Sequence, residues 1–401
     1  MKTIIILGDG MADYPIARLG GKTPLQVARK PNMDSIAARG RCGLFATVEP
    51  DMPPGSEVAN LAVMGYNAKE VYQGRGVLEA ASMGVRLGER DMAMRCNLIC
   101  LADGKIKNHS AGHISSEESD EIITTLRREI GSETRRLYTG VDYRHLFVGE
   151  GLDPALECAP PHDHVGESAE SLLIEPRTAQ AAETAELLNH LTRRSWEILP
   201  DHPVNQRRRA AGQDVANSIW LWSPGRRPTM WTYAERFGVS GAVISAVDLI
   251  RGLGVYAGLM ILRVPGATGL ADTNYEGKAE ACLAALETVD FCYVHVEAPD
   301  EAGHDGNLEL KIKTIEDLDA RLIGTVLAGL KARGIQAVVA VLPDHPTPVE
   351  LRCHVRDAIP FAIWDPCQEP DAVQRYDEAS CRAGALGTLH GDEFIRAVLG
   401  R

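Results

Sequence analysis

Phe291-Cys-Tyr-Val-His-Val-Glu-Ala-Pro-Asp-Glu-Ala-Gly-His304 is an apolar run that ends in a carboxylate and an imidazole four residues apart, Asp300 and His304. The β-branched and aromatic residues of Phe291–Val296 suit a buried strand, and Pro299 and Gly303 mark the loop it empties into. In open α/β sheets ligands bind beyond the carboxyl ends of the strands, and a carboxylate with an imidazole there forms a natural pair of ligands for a divalent metal. Taken alone, the stretch reads equally as a solvated loop with a capping aspartate.

Two distant segments repeat the layout. Thr3–Leu7 runs into Gly8-Asp-Gly10, and Ala337–Leu342 runs into Pro343-Asp-His345. Parallel strands buried on both faces read as continuous apolar runs, and such sheets align their carboxyl ends along one edge. Asp9, Asp300 and Asp344 can then meet, with His304, His345 and His354 available beside them. The reading is an α/β fold with a mostly parallel sheet.

A fourth segment supplies a hydroxyl. The strand Gly43–Val48 leads through Glu49–Gly55 to Ser56, and apolar positions at helical spacing follow in Glu57–Gly65. At a helix N-terminus the backbone N–H groups and the dipole favour an anion, so Ser56 could attack a phosphorus and carry the phosphate. Serine is also among the best N-caps, and most such serines do nothing more.

At 401 residues the chain exceeds the size of one core, which predicts two domains, one inserted in the other. From about Val77 to Pro176 the pattern changes to strands around a hairpin turn at Asp103-Gly104, with an amphipathic helix Ser116–Ile130. The expected division is a core of residues 1–75 and 180–401 with an insertion at 76–179. Asn32 is read as the N-cap of a helix ending at Gly40, Gly65–Gly76 as a tight loop, Leu172–Arg194 as a long helical stretch, Arg207–Arg209 as a solvated charge run, and Leu308–Arg333 as the crossover between the Asp300 and Asp344 strands.

The formal charge of −13 argues against a nucleic-acid surface. No segment approaches the ~18 apolar residues of a membrane span, and the N-terminal apolar run is too short for a signal peptide. Nine scattered cysteines without a Cys-x-x-Cys pair read as buried thiols of a reducing cytoplasm. Cys353 stands beside His354.

The motifs Gly8-Asp-Gly-Met-Ala-Asp13, Pro54-Gly-Ser-Glu-Val-Ala-Asn60, Ala298-Pro-Asp-Glu-Ala-Gly-His304, Pro343-Asp-His345 and Cys353-His354 together resemble those of the archaeal-type, cofactor-independent phosphoglycerate mutases of the alkaline phosphatase superfamily. The likeness runs from the first strand to the last motif. It implies an alkaline phosphatase-like three-layer α/β/α core with an inserted α+β lid, and two Mn2+ or Zn2+ ions with no 2,3-bisphosphoglycerate. Carried onto this chain, one ion would be held by Asp9, Ser56, Asp344 and His345, the other by Asp300, His304 and His354. Ser56 would be the phosphorylated nucleophile, and the partner a small phosphorylated substrate.

Substrate contacts are expected from Arg75, Arg144 and His145, and from His109, His113, His162 and His164, whose clusters read equally as surface hydrogen-bonding groups. The segment Asn108–Ile114 departs from the archaeal mutase pattern, having His109 and His113 where arginines stand. The histidine version resembles a subgroup proposed to phosphorylate homoserine. An imidazole gives up the bidentate grip of a guanidinium on carboxylate or phosphate. The leading expectation is interconversion of 3- and 2-phosphoglycerate. The alternatives are a homoserine-type phosphotransferase, a phosphomonoesterase, or a metal- or phosphate-binding protein without turnover. No Gly-x-x-x-x-Gly-Lys-[Ser/Thr] loop is present for a nucleotide donor.

Overall fold

Lys2–Gly8 lies between Phe291–Val296 and Ala337–Leu342 and is parallel to both, with Gly8 level with Val296 and Leu7 level with Leu342. The three apolar runs therefore end on one edge, and Asp9, Asp300 and Asp344 follow them there. These strands are the middle of an eight-stranded sheet in the computed structural model, which describes residues 1–400. Its order is Met260–Leu262, Gly241–Ile244, Phe291–Val296, Lys2–Gly8, Ala337–Leu342, Ile359–Trp364, Arg41–Ala46 and Thr388–His390. Only Ile359–Trp364 runs against the rest.

Alternation along these strands builds two cores. Ile4, Ile6, Val294, Val339 and Val341 face helical residues Met33, Ile36, Tyr275, Ile315 and Val326. On the opposite face Phe291 meets Tyr233 at 4.9 Å between ring centroids, and Phe45 meets Phe394 at 5.2 Å. Helices on both faces explain why the central strands are buried along nearly their whole length. Each buried Ile, Val or Phe contributes roughly 1.5–3 kcal/mol, so the edge carrying the acids rests on a rigid base.

The Leu308–Arg333 crossover is helical throughout, but at Leu318–Ile323 it widens into a π-turn. Asp319 in that turn accepts from the backbone N–H groups of Asn32 and Met33 at 3.2 and 2.7 Å. It thereby serves the N-terminus of the helix Pro31–Arg39, whose N-cap residue is Lys30. Asn32 lies inside that helix and is not its cap, because Pro31 fixes the first helical position one residue earlier.

Residues 73–229 form a second compact unit, separate from 1–72 with 230 onward. Its central strand Asp91–Ala102 pairs antiparallel with Arg144–Glu150, Ser218–Arg226 and Lys105–Asn108. Asp103 and Gly104 both take positive φ at the hairpin, which is why an Asp-Gly pair serves there. Helices Ser116–Ile130 and Ala182–Ile198 cover one face through Ile122, Leu126, Leu188 and Leu191. Chain return after residue 180 is thus corrected to 229, because Ala182–Ile198 and Ser218–Arg226 belong to this sheet and its cover. The expected tight loop at Gly65–Gly76 instead includes the short helix Ala68–Val71 and the start of the helix Arg75–Ser82. The long helical stretch begins later than read, at Ala182, after two single 3-10 turns.

The Arg207–Arg209 run is not uniformly solvated. Arg208 is buried, donating to the carbonyls of Ala111, Gly112 and Asp214 and to Glu118. A sequence run of three arginines cannot show that the middle one turns inward on its helix.

Candidate metal centre

Asp300 and His304 are not on a loop. Ala298–His304 is a helix with Pro299 in its first turn, and its 3.6-residue period sets the carboxylate and imidazole of positions i and i+4 on one face. His304 Nε2 lies 3.3 Å from Asp300 Oδ2 and 2.8 Å from His354 Nε2. His304 Nδ1 faces the Arg352 carbonyl at 3.1 Å, which can only accept, so this nitrogen carries a proton. Its other nitrogen therefore turns a lone pair, or a second proton, toward Asp300 and His354. The hydrogen bond to Asp300 pushes His304 up to about 9, against the effect of burial. Asp300 itself is buried, yet the imidazoles of His304 and His354 hold it well below the usual carboxylate range.

The second cluster is deeper. Asp9, Asp344 and His345 are all buried, and His345 Nε2 stands 3.4 Å from Asp344 Oδ2 and 3.6 Å from Asp9 Oδ1. Burial, then the charges of Asp344 and Asp300, push the Asp9 carboxyl well up. Asp9 Oδ1 is buried and no hydrogen-bond donor among the described residues reaches it. Like charges gathered away from water around an orphaned oxygen call for a cation.

Ser56 enters from the opposite sheet face. The N-cap of its helix, Ser56–Val63, is Gly55, so Ser56 is the first helical residue and its hydroxyl is released from capping. The Oγ lies 3.1 Å from His345 Nε2. The capping alternative for Ser56 is thereby excluded, and all seven expected ligand positions lie in one unit. Ligand atoms of Asp300, His304 and His354 come within 4.8 Å of one another, as do those of Asp9, Asp300 and His345. Carboxylate oxygens and imidazole nitrogens are the donor set of Mn2+ or Zn2+, and the orphaned Asp9 oxygen fits the same ions.

Several supporting residues escaped sequence reading. His295 Nε2 meets Asp9 Oδ2 at 3.0 Å, while its Nδ1 meets Ser245 Oγ at 3.2 Å. Burial drives this histidine down to about 3, so it stays neutral and donates to Asp9. Asn60, one turn after Ser56, donates to Asp344 Oδ2 and to the Ser56 carbonyl, each at 2.8 Å. The Tyr293 hydroxyl donates to Asn60 Oδ1. A signal existed in the strand Phe291–Val296, where Tyr293 and His295 are polar tips at alternate positions, but period-2 patterning does not reveal their partners. Gly10 has positive φ, and a Cβ there would sit 2.3 Å from Asp300 Oδ1, so only glycine fits between the two ligand loops.

The expected substrate residues all fall within the 73–229 unit, but they are not equivalent. His109 lies edge-on to Tyr143 at 5.9 Å and to His162 at 6.2 Å, and His162 meets Trp222 at 5.4 Å. Arg95 lies over Trp222 at 4.5 Å, a residue the sequence did not single out. Arg144 is exposed beside Tyr143, and the backbone N–H of Arg75 donates to Ser223 Oγ at 2.9 Å. His113 takes positive φ, and His164 Nδ1 pairs with Glu167 at 3.0 Å. His145 is a correction: it is 1% exposed, and its Nδ1 accepts from the Gly140 N–H at 3.1 Å. Its neighbour Arg144 points outward and His145 inward because side chains alternate along the strand.

The family described as 2,3-bisphosphoglycerate-independent phosphoglycerate mutase matches residues 37–205. A 2,3-bisphosphoglycerate-independent phosphoglycerate mutase of Methanosarcina acetivorans is 50% identical over 397 residues, covering 98% of each chain. A probable mutase of the same description from Geobacter sulfurreducens is 48% identical over 406 residues and covers all of both chains. Among solved structures, the PH0037 protein from Pyrococcus horikoshii is similar with a TM-score of 0.84 and 29% identity over 100% of this chain and 97% of that one. The cofactor-independent phosphoglycerate mutase from Thermoplasma acidophilum is similar with a TM-score of 0.70 and 28% identity, over 100% and 99%.

Proposed function

The chain belongs to the 2,3-bisphosphoglycerate-independent phosphoglycerate mutases, and from that premise we propose that it interconverts 3-phosphoglycerate and 2-phosphoglycerate through a phosphoserine at Ser56. The observation that carries the reading is the Ser56 hydroxyl, free of capping and 3.1 Å from His345 Nε2, facing a buried group of acids. Asp9, Ser56, Asp344 and His345 would hold one divalent cation, and Asp300, His304 and His354 another, with Mn2+ or Zn2+ as the ions. Bound there, the cations would neutralise phosphoryl oxygens and lower the pKa of the serine hydroxyl.

The Ser56 oxygen attacks phosphorus in line with the glycerate oxygen that leaves, and the same oxygen later leaves as the other glycerate hydroxyl attacks. Bond making and breaking balance within the substrate, so no external phosphoryl donor is consumed. The N-terminal end of the helix Ser56–Val63 favours the added negative charge. Asn60 holds Asp344 and the Ser56 carbonyl from one side chain, which keeps nucleophile and ligand in register. A mutase must also keep water from the phosphoserine while the glycerate turns over, and we assign that lid role to the 73–229 unit. Arg75, Arg144, His109, His113, His162 and His164 are its candidate substrate contacts.

All nine cysteines are unpaired, which supports a cytoplasmic setting. No helix among the described residues is long and apolar enough to cross a membrane. The test is an enolase-coupled assay of the Mn2+-loaded protein on 3-phosphoglycerate, where absence of turnover overturns the assignment. A second reading, phosphoryl transfer to homoserine or a related hydroxy acid, is favoured by His109 and His113, imidazoles that offer no bidentate fork where the archaeal mutase pattern has arginines. Homoserine with ATP in the same preparation distinguishes the two.

A further inference from the structure

Thr347 is fully buried and its hydroxyl touches a ligand residue from each of the two clusters. The Oγ1 is hydrogen-bonded to Asp300 Oδ1 and lies 3.3 Å from His345 Nδ1. An ionised Asp300 can only accept, so the single hydroxyl proton goes to it. The Thr347 oxygen then accepts from His345, which places the His345 proton on Nδ1. That leaves the Nε2 lone pair facing Ser56, Asp344 and Asp9.

The residue that carries this hydroxyl is held from both sides, between Asp300 and His345. The Thr347 N–H donates to the Ala12 carbonyl at 3.3 Å, and its own carbonyl accepts from Lys311 Nζ at 2.7 Å. Lys311 is buried and also donates to Asp13 Oδ2 at 2.9 Å and to Ala12 O at 3.1 Å, tying the loop after Asp9 to the loop after Asp344. A Cβ on Gly10 would stand 2.6 Å from Thr347 Oγ1, and one on Gly303 2.5 Å from the Thr347 carbonyl, so the backbones of both neighbouring loops clamp the residue.

From this we infer that Thr347 is a positioning residue that couples the two cation sites, through the chain His345 Nδ1–H to Thr347 Oγ–H to Asp300. The inference rests on the two-cation reading above. With a cation held at Asp300, that carboxylate would stay an acceptor, the Thr347 hydroxyl would point to it, and His345 would keep its proton on Nδ1, the tautomer whose Nε2 is free for the other cation. Loading is therefore cooperative, and the coupling is reciprocal: either ion prepares the site of its partner. A threonine whose only role was to fill space would not transmit this.

Native mass spectrometry of the full-length protein at substoichiometric Mn2+ tests it, with folding checked by circular dichroism. The wild type should show mainly species with no ion and with two. Thr347→Val keeps the shape and removes the hydroxyl, and should populate the one-ion species several-fold more; Thr347→Ser should return the distribution to that of the wild type. Thr347→Ala serves as a second variant should Thr347→Val fail to fold. A Val or Ala variant that loads like the wild type overturns the coupling and leaves the two-cation reading intact. Binding of fewer than two ions by the wild type overturns both, and stepwise loading of two ions by the wild type overturns the coupling alone.

Discussion

Ser56 Oγ and His345 Nε2 stand 3.1 Å apart although the residues are separated by 289 positions. Nothing local holds them together; the contact exists because a helix from one sheet face and a strand end from the middle of the sheet reach the same edge. If Ser56 is the atom that accepts phosphate, Ser56→Ala removes the reaction and not the site. Turnover of 3-phosphoglycerate should fall by about three orders of magnitude or more. Metal content, read by elemental analysis, should stay near that of the parent. A variant that retains full activity refutes the nucleophile.

Lys311 and Asp13 form an ion pair in which both side chains are essentially inaccessible to water. Removing one partner strands the other charge in the interior, and such losses cost about 3–5 kcal/mol. Lys311→Met should lower stability by that order, measured by denaturant titration of the protein. The double variant with Asp13→Asn should be less damaged than the sum of the singles, since neither charge is then orphaned. Strict additivity would show that the pair is not the source.

The positions of Asp9, Asp300, Asp344 and their histidines were legible because each acid follows an apolar run long enough to be a buried strand, and parallel strands share an edge. Ser56 was legible as a helix start, though only the fold shows that Gly55 is the cap and the hydroxyl is spare. Thr347, Lys311 and Asn60 were not legible. Each is an ordinary polar residue whose role needs a partner distant in the chain: Asp300, 47 positions from Thr347; Ala12, 299 from Lys311; and Asp344, 284 from Asn60. The helix of Asp300 and His304 was hidden by Pro299 and Gly303, which read as loop formers but occur here in the first turn and at a close backbone contact. Late return of the insertion was hidden because strand pairing between Asp91–Ala102 and Ser218–Arg226 carries no local signature.

Metal affinity should depend on pH through His304. Its Nε2 holds a proton up to about 9 in the free protein, owing first to the hydrogen bond with Asp300, and a cation must displace that proton. Below that pH the apparent affinity should therefore rise with pH, by about tenfold per unit for one proton released, and level off above it. Calorimetric titration of Mn2+ at pH 7 in two buffers of different ionisation enthalpy counts the protons directly. No release would contradict the assignment of His304 as a ligand.

Acid sensitivity of the 73–229 unit should trace to His145. Burial pushes this histidine down from its ordinary 6.5 to about 3, and its buried Nε2 has no partner among the described residues. The folded unit keeps the ring neutral while the unfolded chain takes up a proton below 6.5, so the unfolded state binds more protons across that interval. The stabilisation is complete above 6.5 and is lost as pH falls from there toward 3, with a slope of about 1.4 kcal/mol per unit. His145→Asn keeps an acceptor for the Gly140 N–H and removes the titration. Protection of the Leu146, Phe147 and Val148 amides against hydrogen exchange, followed from pH 6.5 to 4, should then fall less steeply in the variant by one proton's worth. Equal slopes in the two proteins would show that His145 is already protonated in the fold, and that its burial in the strand is not what makes this unit yield to acid.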